Sequence, residues 1–143
     1  MKVNFKDSIE KPIENVFNAI VDQNKMVNYF ISKADSSLVE GKTVHWEFGD
    51  VGAKVSVEVK KIIENEQIVF IWAAAGKETE VIITLKKIND DKTAINIIEQ
   101  DWELNEENIS RVLQQTTGWT DFFCCLKAYL LFNVNLRKGV KLS

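Results

Sequence analysis

The chain has 143 residues, 45% hydrophobic and 27% charged, a balance of globular proteins that argues against a disordered or membrane-embedded class. Lys and Arg number 18 against 21 Asp and Glu, and the resulting net charge of −3 offers no basic footprint for nucleic acid. The opening MKVNFKDSIE is charged throughout, and no uncharged run approaches the ~20 residues of a membrane span. A cytoplasmic protein forming one domain over 1–143, without membrane insertion, is expected.

Val3, Phe5 and Ile9 alternate with polar residues and predict a first strand, interrupted on its apolar face by Asp7. Pro12 suits the start of a helix, and Val16, Phe17, Ala19 and Ile20 give that helix an apolar stripe over about 12–21. Asp22 can cap a second short helix carrying Met26, Val27, Tyr29 and Phe30.

From Ser32 to Trp102 the pattern changes to short β-favouring runs between turn residues. Val39-Glu40-Gly41-Lys42 reads as a hairpin turn leading into Val44, Trp46 and Phe48, and Gly49-Asp50-Val51-Gly52 turns the chain again. Val55, Val57 and Val59 form an amphipathic strand. The run over 68–75 is apolar at both parities, so its inward face is left open. Val81, Ile83 and Leu85 follow, then a turn at 89–92 and a last strand through Ile95 and Ile97 toward Trp102. From about Asn105 the period returns to 3.6, with Ile109, Val112, Thr116, Trp119, Phe123, Leu126 and Leu130 on one stripe and Gln114, Asp121 and Cys125 opposite. Gly118 beside Thr116 and Thr117 weakens the helix midway and predicts a bend or a close backbone contact.

The expected architecture is α+β: a curved antiparallel sheet of six to seven strands wrapped around a long C-terminal helix, with two short helices after the first strand. That order resembles the helix-grip fold of the START-like, or Bet v 1-like (SRPBCC), superfamily. Pro12, Val16, Phe17, Ala19, Ile20 and Asp22, then Glu40-Gly41-Lys42, Trp46, Gly49-Asp50 and Gly52, resemble signature stretches of one branch of it. Trp72, Gly118-Trp119 and Leu126-Lys127-Ala128-Tyr129-Leu130 continue the resemblance, which is to the activator of Hsp90 ATPase homologue family (AHSA1-like). It implies either binding of a hydrophobic ligand or lipid, or a stress- or chaperone-associated role with a protein partner. Where many relatives carry a histidine at the end of the last strand, this chain has Glu99-Gln100-Asp101-Trp102, so no histidine role transfers.

Chemistry-bearing residues are few. Cys124 and Cys125 are neighbours in a helical pattern and diverge by about 100°, which argues against a disulfide. His45, the only histidine, alternates with Val44 and Trp46 and faces away from the apolar side; no metal set and no nucleophile–base pair forms around it. Glycine-rich phosphate motifs are absent, so no cofactor is expected. Glu99 and Asp101 share a strand face with Ile95 and Ile97, and there they could serve as acid or base in a small cyclase, dehydratase or hydrolase, or anchor a polar ligand group.

The leading expectation is non-catalytic binding of a small hydrophobic or amphipathic molecule between sheet and helix. The residues expected to line that cavity are Trp46, Phe48, Val57, Val59, Trp72, Val81 and Ile83 from the earlier strands. Ile97, Glu99 and Asp101 join them from the last strand, and Thr116, Trp119, Phe123 and Leu126 from the helix.

Overall fold

The computed structural model describes residues 1–100 and 102–143. β1 (Lys2–Ile9) is followed by α1 (Ile13–Val21) and α2 (Gln23–Met26), and then by β2 (Lys33–Ala34) and β3 (Thr43–Phe48). β4 (Ala53–Ile63), β5 (Gln67–Trp72), β6 (Thr79–Asn89) and β7 (Lys92–Gln100) complete the main sheet, and α3 (Glu106–Phe132) and a small hairpin, β8 (Val134–Asn135) and β9 (Val140–Lys141), close the chain. The seven strands run in the order β1-β7-β6-β5-β4-β3-β2, every neighbouring pair antiparallel. This is the helix-grip arrangement.

Local chemistry explains most boundaries. Pro12 occupies the N-cap of α1, one residue before the helix begins, and Asp22 accepts a hydrogen bond from the Asn24 amide at 2.9 Å to start α2. Asn105 caps α3 by accepting from the Asn108 amide at 2.8 Å, while Asn133 ends it in the left-handed conformation, φ 53°.

β5 resolves the ambiguity of its apolar run: Ile68, Phe70 and Trp72 face the core, Val69 and Ile71 lie half-buried on the other face, and the strand ends at Trp72. Ala73, Ala74 and Ala75 leave it in a turn at Gly76, whose φ is 80°. Trp102 is likewise beyond β7, although it is buried and its carbonyl accepts from the Met1 amino group at 2.8 Å.

Residues 39–42 form a turn, closed by Lys42 N–H donating to the Val39 carbonyl, within the eight-residue connection between β2 and β3, which pair antiparallel with each other. On α3, Cys125 is buried and not opposite the core, whereas Ile109 and Thr116 are exposed. The N-terminal half of the helix buries only Asn108, and its apolar face closes on the sheet from Trp119 onward, through Phe122, Phe123, Cys125, Leu126 and Ala128. The β8–β9 hairpin has no counterpart in the sequence-based expectation.

The core is aromatic where the helix meets the sheet. Phe30, four residues past the end of α2, packs edge-on against Trp46, Phe48 and Phe122 with ring centroids 5.9, 5.1 and 4.8 Å away. Trp72 sits 6.1 Å from Trp46 and 5.5 Å from Trp119, so one ring network joins β3, β5 and α3. These rings fill most of the wedge between curved sheet and straight helix.

A buried carboxylate behind an aromatic pocket

The strict alternation of β7 puts Thr93, Ile95, Ile97 and Glu99 on the inner face, and Glu99 is completely buried. Register then gathers its partners. Val81 lies opposite Glu99, which makes Thr79 the diagonal neighbour on the same face, and Thr79 lies opposite Trp72 across the next strand pair. Gln115 and Trp119 are four residues apart on α3 and so project from one face of it.

All four side chains donate to the carboxylate. Glu99 Oε2 accepts from Trp72 Nε1 at 2.9 Å and from the Thr79 hydroxyl at 2.6 Å. Oε1 accepts from Trp119 Nε1 at 2.8 Å and Gln115 Nε2 at 3.0 Å. Indole N–H groups only donate, so a carboxylate is the species that matches this cage. With no exposed surface and both oxygens engaged, Glu99 orients its neighbours; the acid expected beside it, Asp101, lies outside the described residues.

Three of those donors, Trp72, Gln115 and Trp119, also line a pocket of about 250 Å³. Phe30, Phe48 and Val51 form its opposite wall, Ala74 and Gly118 its rim, and Arg137 of the terminal hairpin one end. Arg137 Nη1 donates to Asp50 at 2.9 Å and Nη2 to Asp121 at 2.8 Å, so it ties the β3–β4 turn to α3. Its guanidinium lies 5.3 Å from the centroid of the Phe30 ring, and its buried Nε has no hydrogen-bond partner among the described residues. The turn it holds is itself fixed: the Gly49 amide donates to Ser32 Oγ at 2.9 Å, and a Cβ on Gly49 would come within 3.0 Å of that oxygen. A larger groove of about 650 Å³, bordered by Met1, Lys2, Lys77, Gln100, Trp102 and Glu103, is more open to solvent and has a single aromatic side chain, Trp102, in its lining among the described residues.

Of the residues expected to line a cavity, Phe48, Trp72 and Trp119 reach this pocket, and Glu99 stands directly behind it. Trp46 packs behind Trp72, while Val57, Val59, Val81, Ile83, Ile97, Phe123 and Leu126 are core, none more than 2% exposed. Thr116 does not line the pocket: it is exposed, and its hydroxyl donates to the Val112 carbonyl at 2.7 Å. Sequence reasoning missed Phe30, Val51, Ala74, Gln115 and Arg137. For Gln115 the signal was its spacing of four from Trp119; for Arg137 it was the Arg-Lys-Gly turn between Val134 and Val140. Gly118 makes no close backbone contact, since a Cβ added there would meet nothing within 4 Å.

His45 lies on the outer face, and its Nδ1 sits 2.7 Å from Asp35 Oδ2 while its backbone N–H donates to Asp35 Oδ1 at 2.9 Å. These bonds, the backbone one foremost, hold the Asp35 carboxyl below the usual carboxylate range. Among the described residues no helix is long and apolar enough to cross a membrane.

Solved structures share this architecture. Protein SSP2350 from Staphylococcus saprophyticus is 25% identical, with 94% of this chain and 95% of that one aligned at a TM-score of 0.82. Aha1 from Colwellia psychrerythraea, described in solution as a dimer, is 18% identical over 92% of this chain and 97% of its own, with a TM-score of 0.79. PFC0360w from Plasmodium falciparum, described as an HSP90 activator, is 17% identical over 92% and 96%, with a TM-score of 0.72. No curated protein matches the chain. Residues 10–131, spanning α1 to the last turn of α3, match the family described as Activator of Hsp90 ATPase homolog 1-like protein, and the chain belongs to that family.

Proposed function

We propose that this protein is a non-catalytic binding module for a small, largely apolar molecule held between the sheet and α3. The observation that carries this reading is the aromatic pocket of about 250 Å³ against the Glu99 cage. That volume lies just under the ~300–1,000 Å³ usual for ligand sites, so it suits a compact molecule and not a long-chain lipid. Glu99 supports a binding role over acid–base chemistry, because every donor around it comes from the protein and Gln115 stands between it and the pocket.

Gly118 provides the test. It lines the pocket, and open space surrounds the position of its missing Cβ, so Gly118→Leu should obstruct the site without straining the fold. Native mass spectrometry of the purified wild type, with extraction of any bound compound, should yield a small apolar molecule that Gly118→Leu no longer carries. An equal load on both proteins would place the ligand elsewhere.

A second reading, a chaperone-associated interaction module, draws on the neighbour described as an HSP90 activator and on the exposed Leu104, Ile109 and Leu113 at the start of α3. Stimulation of an Hsp90 ATPase that survives Gly118→Leu and is lost in Ile109→Asp/Leu113→Asp would favour it.

A further inference from the structure

The pocket has a charge character that its apolar walls conceal. We infer that its preferred occupant is a small arylalkyl amine in protonated form, its ring between the indole and phenyl walls and its ammonium group on Gln115 Oε1. This rests on the binding role proposed above.

Four observations converge. Glu99 is wholly buried one side chain behind the pocket wall, and its four donors are all neutral, so its charge is spread through hydrogen bonds and not cancelled by them. Gln115 must turn its Nε2 toward that carboxylate, which only accepts, and its Oε1 is therefore directed away from it with no protein donor among the described residues. Gln115 thus presents an acceptor to the pocket it lines, polarised by the carboxylate on its other end.

The walls supply the third element. The Trp72 and Trp119 rings, 5.5 Å apart at 31°, and the Phe30 and Phe48 rings all border the pocket and suit a cation as well as an aromatic body. The last element is the surrounding charge. Arg137, the one charged residue that lines the pocket among the described residues, has both Nη groups engaged by Asp50 and Asp121, at 2.9 and 2.8 Å, so two carboxylates face one guanidinium at that end and leave an excess of one negative charge there. An anion would meet that excess, whereas a cation relieves it.

An ammonium nitrogen on Gln115 Oε1 would lie roughly 6–8 Å from the Glu99 carboxylate. At an effective dielectric of about 30, as for a pocket partly open to solvent, that separation favours a cation over a neutral isostere by on the order of tenfold in affinity.

Three phenyl-bearing probes that differ in the charge of the head group test this: 2-phenylethylamine, 2-phenylethanol and 3-phenylpropionate, titrated at pH 7 while the indole N–H signals of Trp72 and Trp119 are followed by NMR. The amine should bind about tenfold more tightly than the alcohol, and the propionate most weakly. Equal binding of amine and alcohol would leave the pocket standing and overturn the charge preference, as would tighter binding of the propionate. Binding of none of the three would overturn the pocket and the inference together. Gln115→Met, which keeps length and loses Oε1, should reduce the ratio of amine to alcohol affinity while leaving the part owed to the Glu99 charge; an undiminished ratio in that variant would overturn the role of Gln115. The wild-type comparison decides the charge preference whether or not that variant folds.

Discussion

Replacing Glu99 by Gln changes one oxygen to an amide nitrogen in a site built wholly from donors. If the new NH2 faces Trp72 and Thr79, the hydroxyl can rotate to accept, but the Trp72 N–H is left against another N–H; if it faces Trp119 and Gln115, the Gln115 amide can flip, and the Trp119 N–H is stranded instead. Either way one buried indole loses its acceptor, and the bonds that persist lose their charge assistance. A stranded buried donor costs about 1–3 kcal/mol and each weakened charged bond up to about 1 more, so a net loss of about 2–4 kcal/mol is expected once relief of the buried charge is set against it. For a chain of this length that corresponds to a melting temperature lower by about 5–15 °C. Urea unfolding followed by tryptophan fluorescence reads the stability, and the indole N–H signals of Trp72 and Trp119 in NMR read the environment of the two rings. A variant as stable as wild type, or more so, would refute the reasoning, because desolvation of the carboxylate would then outweigh the four bonds that hold it.

Gly118→Ala should stabilise the protein by about 0.5–1 kcal/mol in the same assay, since the helix gains a better former and the added Cβ meets nothing; a loss would reveal a contact at that position. Cys124 is exposed, whereas burial and the neighbouring Asp121 push the Cys125 thiol up to about 11, so a disulfide reagent at pH 8 should label one thiol per chain promptly and the second only on unfolding. The depressed Asp35 carboxyl contributes stability that is fully present above its unfolded pKa near ~4 and is lost as pH falls through the lower folded value. The stability gap between wild type and Asp35→Asn should therefore shrink between pH 6 and pH 2, and a gap that widens toward acid would contradict the assignment.

The strands were readable because one face of each is wet: Val55, Val57 and Val59, or Ile95, Ile97 and Glu99, declare their inner side by parity alone. The same parity placed Glu99 in the interior. Parity fails where a strand is apolar on both faces, as at 68–75, and where a helix is only half covered. On α3 the stripe from Ile109 to Leu130 was extrapolated as though the sheet lay beneath all of it, whereas before Trp119 only Asn108 is fully buried and Val112 and Gln115 are half-buried; Thr116 is exposed and Cys125 lies inward. The pocket was least legible. Gln115, Arg137 and Phe30 meet there through strand register and a terminal hairpin, and a one-dimensional pattern carries no record of which distant polar groups a tertiary arrangement will join. The expected cavity was also too large, because periodicity marks a side chain as inward without saying whether another ring already occupies the space beyond it.

The pairing of β1 with β7 has a consequence for how the chain reaches this state. Lys2 lies opposite Gln100 and Ile9 opposite Thr93, so the first strand cannot find its place until the last one exists. At ribosomal rates of about 5–20 residues per second, Val3, Phe5 and Ile9 wait several seconds or longer without a partner. Meanwhile the β3-to-β6 meander can assemble from neighbouring segments. The polar residues around those three apolar ones, with Lys2, Lys6 and Asp7 among them, keep the waiting segment charged, which discourages it from pairing with another nascent chain. Closure of the sheet is thus a late, long-range event, and the edge strand doubles as the latch that reports completion of everything between.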